Sequence, residues 1–248
     1  MIEYAALTNK GKVRDMNQDC YYASTDVKPL FILCDGMGGH AAGDIASRST
    51  VESVSRYINM HVPFDLDDKK AKSLLEGAVK FANKLVFARS KTDMAFDGMG
   101  TTCDVCMADF DIMYICHVGD SRVYLLRDTE IKPITRDHTL IEELIDNGTI
   151  TREEAENHPN KHMITRAVGT EKTIKCDFLV HEMQDGDMFL MCSDGLSNML
   201  TDVQIKDACL VGGDLKKTVK MLVDRANENG GLDNITAILI KYSKDKEE

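Results

Sequence analysis

Four aspartates of this 248-residue chain that stand beside or one step from glycine each adjoin an apolar, strand-like run. Leu30-Phe31-Ile32-Leu33-Cys34 leads into Asp35-Gly36-Met37-Gly38-Gly39-His40. Met113-Tyr114-Ile115-Cys116-His117-Val118 leads into Gly119-Asp120-Ser121-Arg122, and Met188-Phe189-Leu190-Met191-Cys192 into Ser193-Asp194-Gly195. Gly231-Leu232-Asp233-Asn234 opens into Ile235-Thr236-Ala237-Ile238-Leu239-Ile240. One Asp-Gly pair after an apolar run reads as a hairpin turn, because both residues tolerate left-handed backbone. Four of them, read as turns at strand ends and joined by Arg14 and Asn17-Gln18-Asp19, describe buried strands that deliver carboxylates to one edge. Such an edge suits hard divalent cations, since Mg²⁺ and Mn²⁺ take oxygen ligands, few from the protein, with water filling the rest.

The remaining pattern places this edge in an α+β chain. The N-terminal third reads strand, turn, strand, then a helix over 41–58. A second helix spans 68–89, with Ala71, Leu74, Leu75, Ala78, Ala82 and Leu85 forming its apolar face. Strands follow at 101–109, 112–118 and 122–127. Residues 136–169 are polar and hold two short helices, one with a capping box at Thr151 and Glu154. This segment reads as an insertion over the site. Strands return at 175–181 and 187–192, helices begin near Thr201 (Gln204 completing its capping box) and at 214–228, and a last strand covers 235–242. Strand clusters with paired helices suggest sheets packed inside helices. No repeat or linker divides the chain, so 1–243 reads as one domain and 244–248 as a charged tail.

The formal net charge of −11 argues against nucleic-acid and anionic-membrane partners, which require basic patches. No run is long enough to span a bilayer. Met1-Ile2-Glu3-Tyr4 carries neither a basic region nor an apolar signal core, so the expected location is cytoplasmic. The eight cysteines then read as reduced, buried thiols. Cys103 and Cys106 are spaced like a redox or zinc pair, but i and i+3 on a strand face opposite sides, and no second pair accompanies them. Cys34 and Cys192 adjoin the acidic turns, and buried strand thiols are usually inert.

These residues resemble the metal-dependent Ser/Thr phosphatases of the protein phosphatase 2C type, in their compact bacterial form. Arg14 to Asp19, Asp35 to Gly43, Gly100-Thr101-Thr102, Val118 to Arg122, Ser193-Asp194-Gly195 and Asp233-Asn234 appear in the family's order over nearly the whole length. The resemblance implies a sandwich of two antiparallel sheets flanked by pairs of helices, with a flap at 136–169. It implies hydrolysis of phosphoserine and phosphothreonine by direct attack of a water bridging two Mn²⁺ or Mg²⁺ ions, with a possible third ion and no covalent intermediate. Two such ions, about 4 Å apart, activate the water and neutralise the phosphoryl oxygens. Asp35 is the candidate bridge, Gly36 offers its carbonyl, Asp194 and Asp233 complete the protein ligands, and Asp120 takes the third ion. Glycine at 36, lacking a side chain, would let a metal come close. Arg14 is the candidate phosphate clamp, because a guanidinium forks onto phosphate oxygens. Asp19 would orient a metal-held water as an outer carboxylate.

Two departures from the family pattern matter. Gln18 replaces the glutamate of many eukaryotic members, and Met37 stands where they carry a histidine. The general acid is therefore open among His40, His162 on the flap and a metal-held water. The expected partners are phosphorylated proteins, including a Ser/Thr kinase of the same cell, and the chain is expected to be a monomer. Two other readings stand beside this one: a phosphoprotein-binding module that has lost turnover, and a two-metal phosphatase acting on small phosphate esters.

Overall fold

Runs such as residues 30–34 and 237–240 are apolar at consecutive positions because both faces of their strands are covered. The computed structural model describes residues 1–244 other than 27, 39–41, 157, 161, 162 and 212, with Glu156 described in its backbone only. In chain order the elements are β1 (Ile2–Asn9), β2 (Asp19–Ser24), β3 (Leu30–Met37), α1 (Ala42–His61), α2 (Asp68–Ser90), β4 (Gly100–Thr101) and β5 (Cys103–Asp109). Then come β6 (Ile112–Val118), β7 (Arg122–Arg127), β8 (Glu130–Pro133), α3 (Leu140–Asp146), α4 (Arg152–Glu156) and β9 (Asp177–Glu182). The chain closes with β10 (Met188–Cys192), α5 (Asp194–Ser197), α6 (Asp202–Val211), α7 (Leu215–Glu228) and β11 (Ile235–Tyr242).

The strands form two antiparallel sheets, ordered β1-β11-β10-β7-β8 and β2-β3-β5-β6-β9, with β4 paired to β3. Alternate residues divide the core into three layers. Phe31, Leu33, Ile115, Phe189, Ile238 and Ile240 meet between the sheets. Leu30, Ile32 and Cys34 face the other way, against α1 and α2, and Ile235, Ala237 and Leu239 pack under α6 and α7. Cys103 and Cys106 accordingly belong to different layers, and every cysteine is free. Among the described residues no helix is long and apolar enough to cross a membrane.

Local signals place the helices well. Glu154 N donates to Thr151 Oγ1 at 3.2 Å, while Thr151 N donates to Glu154 Oε2 at 2.8 Å. Thr201 and Gln204 close the same kind of box at 3.3 and 2.9 Å. The apolar face of α2 differs slightly from expectation. Leu85 is 46% exposed, and Val79 and Val86 are buried instead, since the 3.6-residue period carries the stripe from Ala82 to Val86. Two of the four acidic "turns" are also not turns. β3 runs straight through Asp35 and Gly36 to Met37, because β4 extends the ladder on its flank (Gly36 opposite Thr101). Asp194 begins α5, which starts directly after β10.

Strand polarity brings the acidic positions to one end. Asp19 opens β2, Asp35 lies near the end of β3, Asp120 follows β6, Asp194 follows β10 and Asp233 precedes β11. The opposite end carries the β5–β6 hairpin and the exposed Phe64 and Phe110. Truncating Phe31, fully buried between the sheets, to alanine is expected to lower unfolding free energy by about 3–5 kcal/mol in urea titration. Phe64→Ala, at a fully exposed side chain, is expected to change it by less than about 0.5 kcal/mol.

Candidate metal centre

The acidic strand ends open on a cleft of ≈ 620 Å³ whose lining includes Arg14, Asp35, Gly36, Asp120, Asp194 and Asp233. Arg14 is the only cation among the described residues of that lining. Asp35 is held from its backbone outwards. Its N–H donates to Thr102 Oγ1 (2.9 Å), and its carbonyl accepts from Thr101 Oγ1 (2.8 Å) and Thr102 N (2.9 Å). Thr102 Oγ1 is itself paired with Ser121 Oγ at 2.8 Å, tying β3 to the turn that carries Asp120. The Asp35 carboxylate takes no hydrogen bond from the described residues, which leaves its oxygens to the cleft.

Asp19 lies directly opposite Asp35 in the β2–β3 ladder, so the two side chains share a face. Its Oδ2 accepts from Ser193 Oγ (2.8 Å) and Thr236 Oγ1 (2.6 Å), whereas its Oδ1 is buried without a partner. The polar Thr236 inside the otherwise apolar run 235–240 was the available sequence signal for this support. Asn234 is a second unanticipated anchor. Its amide donates to the carbonyls of Lys10 and Met16, each at 2.9 Å, and its oxygen accepts from Gln18 N at 2.8 Å. The loop bearing Arg14 is thereby stapled to the root of β11.

Burial pushes the Asp35 carboxyl well above the usual range, and the charges of Asp19, Asp194, Asp120 and Asp233 add to the rise. Burial likewise raises Asp19 to about 7 despite its hydroxyl donors. Asp120 is raised to about 7 by burial and then by Asp194 and Asp137. Crowded carboxylates with an orphaned oxygen are what a divalent cation relieves, and an all-oxygen donor set fits a hard ion. Among the described residues no three His, Cys, Asp or Glu side chains converge tightly enough to cage an ion. Mg²⁺-like ions keep several waters and take one or two carboxylates each, so the spread set still fits them.

The expected site residues meet this cleft unequally. Asp35, Gly36, Asp120, Asp194 and Asp233 line it, and Asp19 sits behind Asp35. Arg14 lies at the rim with Nη2 2.7 Å from Asp233 Oδ2. His40 and His162 fall outside the described residues. Glycine at 36 also has a packing reason. A Cβ there would come within 2.2 Å of Gly43 O and 2.6 Å of Gln18 O, so the close approach of backbone demands glycine. Cys34 and Cys192 are fully buried, and burial raises both thiols, as expected of inert cysteines.

Two measurements follow from this electrostatic frame. Between about pH 4 and 7, folded Asp120 retains a proton that the unfolded chain has lost, so its contribution to stability falls as pH rises through that window. In chelator, Asp120→Asn is expected to show a flatter decline of unfolding free energy from pH 4 to 7 than the parent, by denaturant titration at each pH. Asn234→Ala removes three part-buried hydrogen bonds and is expected to cost about 1–3 kcal/mol, with faster amide exchange in residues 10–18.

The protein phosphatase 2C family model matches residues 10–239. The serine/threonine phosphatase stp of Listeria welshimeri serovar 6b is 34% identical over 236 residues, covering 94% of this chain and 93% of that protein. A solved structure of the S. agalactiae serine/threonine phosphatase superposes with a TM-score of 0.91 at 34% identity, over 98% of this chain and 100% of that one. The catalytic domain of serine threonine protein phosphatase PstP, solved in complex with two manganese ions, gives a TM-score of 0.85 at 34% identity, over 98% and 99% of the two chains. With the sandwich, the carboxylate edge and these likenesses in agreement, the chain belongs to the protein phosphatase 2C family.

Proposed function

We propose that this chain is a metal-dependent protein serine/threonine phosphatase, hydrolysing phosphoserine and phosphothreonine in phosphorylated proteins, a Ser/Thr kinase of the same cell among them. The observation that carries the reading is the gathering of Asp35, Asp120, Asp194 and Asp233 around one cleft with Arg14 as its single described cation. Two Mn²⁺ or Mg²⁺ ions, when bound, supply positive charge to the phosphoryl oxygens and lower the pKa of the attacking water.

Asp35, whose carboxylate lines the cleft, would hold the ions with help from the Gly36 carbonyl. Asp194 and Asp233 would complete the protein ligands, and Asp120 would serve a third, weaker ion. Thr101 and Thr102 fix the Asp35 backbone by three hydrogen bonds, so little reorganisation is needed when charge arrives. Asp19, braced by Ser193 and Thr236 behind Asp35, would orient a metal-held water as an outer carboxylate. Arg14 binds the substrate phosphate. Its pair with Asp233 is half exposed and contributes little in itself, so the guanidinium can exchange a carboxylate for phosphate oxygens at small cost. The segment 136–169 acts as a flap whose Ile164 reaches the cleft.

Phosphate release from a phosphothreonine peptide tests the reading. Activity is expected with Mn²⁺, to vanish in chelator and to fall by several orders of magnitude in Asp35→Asn and Asp194→Ala. A folded protein inactive with ample Mn²⁺ would overturn it. Arg14→Ala is expected to raise KM roughly 10–100-fold, as for loss of a hydrogen bond to a charged group, while changing kcat less.

A further inference from the structure

His138 lies outside every role assigned so far, yet it is almost fully buried at the junction of three functional segments. Its backbone N–H donates to Gly119 O at 2.7 Å, and Gly119 N–H donates to its Nδ1 at 3.1 Å. This reciprocal pair grips the residue immediately before Asp120. On the other side, His138 Nε2 lies 3.1 Å from Asp177 Oδ2, and Arg166 Nη1 donates to Asp177 Oδ1 at 2.9 Å. The carbonyl of His138 accepts from Thr165 N at 2.8 Å, and Thr139 bridges to Ile164, the residue that reaches the cleft. His138 and its neighbour Thr139 therefore tie together the Asp120 turn, the start of β9 and both ends of the segment 136–169.

The contacts fix the protonation of the ring. A backbone N–H can only donate, so Nδ1 carries no proton, and Nε2 must be the protonated nitrogen that donates to Asp177. Arg166 Nη1 stands 3.0 Å from Nε2, and the ring of His117 is 4.6 Å away, with its Nδ1 2.5 Å from buried Asp104. Burial, His117 and Arg166 together hold the His138 pKa down at about 4. The imidazole is thus a fixed neutral group with one accepting and one donating end.

The Gly119 turn cannot choose another arrangement easily. Its φ is +116°, and a Cβ there would fall 2.5 Å from Thr102 Cγ2. Thr102 also holds Asp35 and Ser121, so the turn is pressed between the Asp35 frame on one side and His138 on the other. Arg122 reinforces the same junction through a forked pair with Asp137, at 2.8–3.1 Å.

We propose that His138 is a positioning residue that sets the orientation of Asp120, and through it the affinity of the ion held there, by accepting the Gly119 N–H while anchored to the base of the flap. The inference rests on the proposed third ion at Asp120. Partners of this outer kind typically change metal affinity by 10–100-fold when lost. The two nitrogens of the ring can be replaced separately. Asparagine can keep an acceptor near Nδ1 and lose the reach to Asp177, whereas glutamine can keep a donor near Nε2 and lose the acceptor for Gly119.

The test is Mn²⁺ titration by calorimetry, without substrate, on the wild type, Asp120→Asn, His138→Asn and His138→Gln. Unfolding midpoints in chelator confirm that each variant is folded. The weakest Mn²⁺ site is expected to lose about tenfold or more in affinity in His138→Gln, to stay near wild type in His138→Asn, and to disappear in Asp120→Asn, with the tighter sites retained in all. If Asp120→Asn alters no site, no ion sits at Asp120 and the inference falls with that reading. If Asp120→Asn removes a site while both His138 variants bind like wild type, or all sites weaken together in both, the positioning role of His138 is wrong and the ion at Asp120 stands.

Discussion

Repulsion among aspartates gathered at one edge of the sandwich is the constraint that the rest of this architecture answers. Carboxylates crowded in this way resist ionisation, and isolated loops would let them move apart. Here each is fixed to a strand end or a helix start, and the strands are locked by apolar layers on both faces. Phe31 and Leu33 fill the space between the sheets while Leu30, Ile32 and Cys34 face the helices. Movement of Asp35 away from its neighbours would disturb both layers. The core thus supplies the rigidity that keeps like charges near one another until a cation offsets them.

Short polar side chains do the local work. Thr101 and Thr102 hold the Asp35 backbone, Ser121 links Thr102 to the next turn, and Ser193 with Thr236 braces Asp19. Hydroxyls suit this task because each can donate and accept, so a chain of them satisfies buried groups without adding charge. The only described cation of the cleft, Arg14, is kept at the rim, paired with Asp233 alone among the described carboxylates of the acidic floor.

Much of this was legible in the order of residues. Apolar runs ending in aspartate located four of the carboxylates, helical periodicity and capping boxes located the helices, and Arg14 stood out beside Asn17-Gln18-Asp19. What stayed hidden depends on contacts between distant segments. Asp35-Gly36 looks like a turn in isolation and becomes strand because Gly100-Thr101 pairs alongside it. The packing that forbids a side chain at Gly36 comes from the crossing of Gly43 and Gln18, which local sequence does not reveal. Asn234 and His138 gave no local signal, since their partners lie more than 200 residues away in one case and in the Gly119 turn and β9 in the other.

The pairing of β1 with β11, and the grip of Asn234 on the loop that follows β1, join the first and last described strands beside the cleft. During synthesis the first sheet strand must wait for the last one, and contacts of such sequence separation form slowly because a long loop has to close first. A nascent chain that already contains α1, α2 and the strands up to β10 still lacks Asp233 and the staple for the Arg14 loop. The carboxylate edge and the Arg14 loop are therefore complete only once the segment carrying Asp233, Asn234 and β11 has been made.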